Sequence, residues 1–123
     1  MNTEISKKIH NLEKELNILF PKLYSDFLEK IAPDTVFEPA DSGVFLYSIT
    51  DLMERNNTYE IQKYAPDFFM IGQDGDLGFF IKISDRNDDA IYSLGLGAVG
   101  SLPMRKQAEN IELFIENIEK EFD

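Results

Sequence analysis

The chain has 123 residues, enough for one domain with a core of its own, and 12 basic against 23 acidic side chains give it a net charge of −11. That balance repels phosphate backbones, so direct nucleic-acid binding is not expected; a basic protein is the natural partner, and solubility alone is the plainer account of the same charge. The absence of cysteine excludes disulfides, thiolate nucleophiles and Cys-based zinc sites and fits a reducing compartment, while 43% hydrophobic residues with ten Phe and five Tyr exclude disorder.

The first residues carry charges throughout and hold no apolar h-region, which reads against a signal peptide and for a cytoplasmic protein. Ile5, Ile9, Leu12, Leu16 and Leu19 recur at spacings of four, three, four and three, predicting an amphipathic helix with Thr3 as its N-cap. Pro21, suited to a first helical position, opens a second helix to about Ile31, with Leu23, Tyr24, Phe27, Leu28 and Ile31 on one face. Residues 33–43 are polar, contain two prolines and read as a loop with room for one short strand at residues 36–37. Residues 44–49 are dense in β-formers, and Thr50 is placed to cap a short helix toward Asn56. Residues 57–65 fit either helix or loop. Strands are expected at 68–71, 79–83 and 90–94, joined as consecutive hairpins, and a closing helix at 110–122 puts Ile111, Phe114, Ile115, Ile118 and Phe122 on one face. No run of apolar residues approaches the length of a membrane span. The order ααβ(α)βββα predicts a single α+β domain, residues 1–123, with a mostly antiparallel sheet flanked by helices.

Two stretches imitate functional motifs. Asp74-Gly75-Asp76-Leu77-Gly78 has acidic ligands at the first and third positions of a calcium loop, but Gly78 falls at the fifth, Phe79 at the sixth and Asp85 at the twelfth, and strands flank it. No Gly-Lys-Ser/Thr follows to make a phosphate loop. A hairpin turn explains the glycines and leaves the aspartates exposed. Gly95, Gly97 and Gly100 form a formal GxGxxG, yet Pro103 interrupts any following helix and no strand remains to complete a dinucleotide-binding unit. His10 is the one histidine, so a nucleophile–base set or a His-based metal site has no material. Asp85, Asp88 and Asp89 surround Arg86-Asn87 in a polar loop, where the burial that would separate their pKa values is not expected. Glu112, Glu116 and Glu119 make an acidic stripe on the last helix, either solvated or half of an interface. No catalytic residue, metal ligand or cofactor is expected.

Phe20-Pro21-x-x-Tyr24-x-x-Phe27-Leu28 resembles the opening motif of the SUKH superfamily. Leu46-Tyr47-Ser48 followed by Asp51-Leu52-x-Glu54-x-Asn56 is similar to its second segment, and Pro66-Asp67-Phe68-Phe69-Met70-Ile71-Gly72-x-Asp74-Gly75 to its "IG-x-dG" signature. Ile91-Tyr92 and Gly97-Ala98-Val99-Gly100 resemble the strand that follows and its exit. The resemblance spans residues 9–118, with Phe20 in place of the usual Leu and Ala32-Pro33-Asp34 in place of the usual Asn-Gly. It implies a bacterial immunity protein that neutralises a cognate secreted toxin, often a nuclease, or alternatively a regulatory scaffold like the fungal members. It implies no enzyme activity and no membrane contact. The exposed acids expected to meet a basic toxin domain are Asp74, Asp76, Asp85, Asp88 and Asp89, with Glu54 next.

Overall fold

A computed structural model describes residues 3–122. Five helices, α1 (Thr3–Leu16), α2 (Lys22–Lys30), α3 (Ile49–Thr58), α4 (Ile61–Tyr64) and α5 (Ile111–Glu121), accompany five strands. The strands are β1 (Phe45–Leu46), β2 (Phe68–Asp74), β3 (Leu77–Lys82), β4 (Ile91–Gly95) and β5 (Arg105–Ala108), and they form one antiparallel sheet in chain order. The fold is α+β, as the order of elements predicts.

α1 stops at Leu16, one turn before the periodic Leu19. Asn17 takes a left-handed φ of 57° there, its N–H reaches the Lys14 carbonyl and the Ile18 N–H the Glu13 carbonyl, the paired bonds of a Schellman stop. Leu19 consequently lies outside the helix and exposed. The Thr3 cap depends on a side chain outside the described residues. Pro21 sits just before α2 instead of inside it, and has no side chain with which to cap. The expected Thr50 cap is also displaced. Ser48 holds the N-cap position of α3, and Thr50 Oγ1 donates to the Pro33 carbonyl at 2.6 Å. The expected strand at 44–49 shrinks to two residues because Ser48 already turns the chain into that helix. The open segment after residue 56 is helical: α3 runs on to Thr58 and α4 follows.

The β2–β3 hairpin is longer than expected. Asp74 pairs with Leu77, leaving a loop of Gly75 and Asp76 only, with Gly75 at φ 58° in the first central position that a type II′ turn gives to glycine. The GxGxxG stretch forms a short 3-10 turn, Leu96–Ala98, and leads into antiparallel β5, so no βαβ unit exists there.

Both faces of the sheet are buried at its centre. On the first, Phe69 meets Phe20 with ring centroids 5.3 Å apart, and Phe79 meets Phe114 of α5 at 4.9 Å, bringing the α1–α2 end of the chain and α5 onto one side. On the second, Met70 and Phe80 are fully buried; Leu96 closes over Gly78, and Ala98, Val99 and Met104 pack against the core. At the β2 edge beyond the reach of β1, Asn56 takes the place of a neighbouring strand. Its Nδ2 donates to the Met70 carbonyl at 2.9 Å, and its Oδ1 accepts the Met70 N–H at 2.8 Å.

Candidate partner-binding surface

Residues 31–54 and 64–81 contain no Lys or Arg. The β1–β2 pairing brings parts of the two segments together at the β2–β3 turn. Phe45 lies opposite Gln73, and the Glu38 carboxylate accepts the Gly43 N–H at 2.9 Å. A Cβ on Gly43 would stand 3.5 Å from the Asp74 carboxylate. Tyr47 donates its hydroxyl to Gln73, which in turn donates to the Gly75 carbonyl at 3.1 Å, tying the root of α3 to the turn. Burial first, then the neighbouring Tyr59 and the carboxylates of Glu54 and Asp51, outweigh the Arg55 guanidinium and hold the Tyr47 hydroxyl well above the usual tyrosine range. This flank therefore gathers, around the β1 end of the sheet, Asp74 and Asp76 of the turn, Glu38 with Asp41 in the loop it closes onto Gly43, and Asp51 and Glu54 of α3, the last with its partner Arg55. Phe45 and Leu77 stand there as apolar side chains, each 39% exposed. The sequence reading finds three of the six acids. Glu38, Asp41 and Asp51 are missed because they sit in loop and cap positions that only strand pairing brings to the turn.

The six acids singled out from the sequence fall into three places. Asp74 and Asp76 are exposed at the β2–β3 turn and make no ion pair among the described residues. Glu54 is exposed on α3 and bound twice by the neighbouring Arg55 guanidinium at 2.9 Å, which holds its carboxyl below the usual range. Asp85, Asp88 and Asp89 lie at the opposite end of the sheet, in the β3–β4 loop, and have structural duties. Asp85 accepts the Asn87 N–H at 3.0 Å. Asp88 accepts the Ala90 N–H at 2.9 Å and the Tyr92 hydroxyl at 2.6 Å. Its burial raises the carboxyl pKa, but these bonds and the charges of Lys82 and Lys106 outweigh that and leave it below the ordinary value. The same bond, with some burial, pushes the Tyr92 hydroxyl up to about 12.

Asp89 accepts the Leu23 N–H at 3.2 Å, capping from 66 residues away the helix whose own N-cap is a proline. Asp89→Ala is expected to cost about 1 kcal/mol in urea unfolding, the usual value of an N-cap, and Asp76→Ala to stay within about 0.5 kcal/mol. Equal midpoints for the two variants would show that Asp89 caps nothing.

Among the described residues no group of three or more His, Asp or Glu is placed to hold a metal ion, and no helix is long and apolar enough to cross a membrane. No curated protein matches the chain. A model of the SMI1/KNR4 family (SUKH-1) matches residues 6–117, from the first turn of α1 into α5 and through all five strands. The chain belongs to the SMI1/KNR4 family (SUKH-1).

Proposed function

We propose that this chain is a non-catalytic binding module of the cytoplasm, an immunity protein that covers and neutralises a basic toxin domain. The observation that carries this reading is the flank at the β1 end of the sheet. It joins two cation-free segments, presents Asp74 and Asp76 unpaired, and sets Phe45 and Leu77 among the acids. A surface of this kind attracts a basic protein over distance and offers it apolar area on arrival. Family membership is compatible with the reading and also with a regulatory scaffold. A toxin gene beside this one is expected for the first and not for the second.

The test uses the purified, catalytically inactivated toxin domain encoded next to the gene. Asp74→Lys with Asp76→Lys is expected to slow association about tenfold at low salt and to flatten its salt dependence, with little change in the unfolding midpoint. An association rate unchanged at low salt would place the interface elsewhere. Failure of the wild-type pair to associate would remove the immunity reading.

A further inference from the structure

On the second face of the sheet, the corner between α4 and β2 and the segment before β5 enclose an open groove of about 310 Å³. Leu102 on its rim is 61% exposed, more than any other large apolar side chain described, and Tyr64 across from it is 50% exposed. Pro66, Phe68, Pro103 and Met104 complete the apolar lining. Its walls are stiff. Two are prolines, and Gly100, at φ 89°, runs so close to Tyr64 that an added Cβ would lie 3.0 Å from the tyrosine Cβ. A preformed groove of this kind binds with little ordering cost.

Asp67 is the one charged residue among those that line it. Asp67 is exposed at the groove and has no cation paired with its carboxylate among the described residues. The nearest cation in sequence, Lys63, is held by Glu60 at 3.3 Å and lies over the Tyr64 ring at 5.2 Å. An apolar slot with a single unmatched carboxylate at its mouth fits an apolar side chain with a cation beside it, and disfavours the same side chain flanked by acids. We propose that this groove receives an apolar side chain of the basic protein partner, with a neighbouring Lys or Arg of that partner set against Asp67. The proposal rests on the reading of the chain as a binder of a basic protein and assigns two tasks to two surfaces. The acidic flank at the β2–β3 turn governs encounter, and the groove governs how long the complex lasts.

The groove can be tested without the partner. The capped peptide Arg-Leu-Arg, titrated into isotope-labelled protein to millimolar concentration, is expected to shift the amide resonances of residues 64–68 and 100–104. Asp67→Asn should weaken the effect, and the capped peptide Glu-Leu-Glu should not produce it. Shifts absent, located elsewhere or equal for the two peptides overturn the proposal. In complex with the inactivated toxin domain, Leu102→Ser and Tyr64→Ala are each expected to speed dissociation about tenfold while association stays within about twofold. Leu102 is solvent-exposed, so its variant tests the groove even where loss of the Tyr64–Gly100 contact unsettles the fold. A toxin that dissociates from both variants at the wild-type rate overturns the groove and leaves the immunity reading standing. If no toxin binds the wild type, that reading falls, and the peptide titration still decides the groove.

Discussion

Replacing Asn56 with alanine is expected to destabilise the protein by about 3–5 kcal/mol, because the vacated amide leaves the buried Met70 N–H and C=O without partners at about 1–3 kcal/mol each. The side chain is 1% exposed and satisfies its neighbours in one orientation only. Its Nδ2 faces two carbonyls, of Leu52 and Met70, both at 2.9 Å, and its Oδ1 faces two donors, the Met70 N–H at 2.8 Å and Gln62 Nε2 at 3.1 Å. Gln62 then continues the same edge by donating to the Phe68 carbonyl at 3.0 Å. Two side chains thus complete the β2 edge where β1, only two residues long, has run out. Against a total stability of about 5–15 kcal/mol, the loss removes about a fifth or more of it. Asn56→Leu keeps the branched shape and should cost nearly as much as alanine, while Asn56→Asp should cost more, because it sets a carboxylate against two carbonyls. Urea midpoints of the three variants check the order, and native-state hydrogen exchange should show the Met70 amide losing protection. A leucine variant close to wild type would show that packing, not hydrogen bonding, is what Asn56 supplies.

Asn56 also marks the limit of what the sequence discloses. It can be matched to a family segment, but nothing in its local pattern says that it stands in for a strand; that role appears only once α3 lies beside β2. The elements readable in advance are those whose own periodicity defines them. Tyr24, Phe27 and Leu28 share a helix face, Phe69 and Ile81 share a sheet face, and an Asp-Gly step separates two β-rich runs. The elements missed are defined by their neighbours. β5 has the sequence Arg-Lys-Gln-Ala with no apolar alternation, and becomes a strand because Ser93, Tyr92 and Ile91 of β4 offer it a ladder. As an edge strand it tolerates charged side chains that a central strand would reject. The end of α1 was hidden because Leu19 continues the helical spacing, whereas Asn17 and its two hydrogen bonds decide the stop. For the candidate surface the division is similar. The exposed aspartates of the turn follow from local chemistry. The capping duty of Asp89 depends on a contact made across 66 positions, and only that contact separates it from Asp76 as a recognition residue.

Gly72→Ala is expected to be the most damaging single-methyl change in the sheet, costing about 3 kcal/mol or more, at the upper end of overpacking effects. Gly72 has an ordinary negative-φ backbone, so its need for glycine is steric. A Cβ there would lie 2.5 Å from the Phe45 carbonyl oxygen and 3.2 Å from the Leu46 Cα, both main-chain atoms, and 2.8 Å from a Leu46 methyl. The methyl could rotate away, but the backbone could yield only by moving β1. That strand is held on both sides, by the pairs Phe45 with Gln73 and Leu46 with Gly72, by the two bonds between Leu46 and Phe37 at 2.8 Å and by the Tyr47 N–H on the Ile71 carbonyl at 2.9 Å, so its displacement breaks contacts at both edges. Gly75 provides the contrast. Its φ of 58° in the type II′ turn is one that L side chains adopt only under strain, but nothing lies within 4 Å of an added Cβ, so Gly75→Ala should cost only the conformational penalty of about 1–3 kcal/mol. Gly72→Ala should also reach the acidic flank, because β1 carries Phe45 and, through the Leu46–Phe37 bridge, holds the loop of Glu38 and Gly43 beside Asp74. Toxin binding should therefore weaken in Gly72→Ala and persist in Gly75→Ala at temperatures where both variants remain folded. Thermal unfolding and binding of the inactivated toxin domain, measured on the two variants side by side, decide the matter. If Gly75→Ala proved the more destabilising, the close approach of β1 to β2 would not be what requires glycine at position 72.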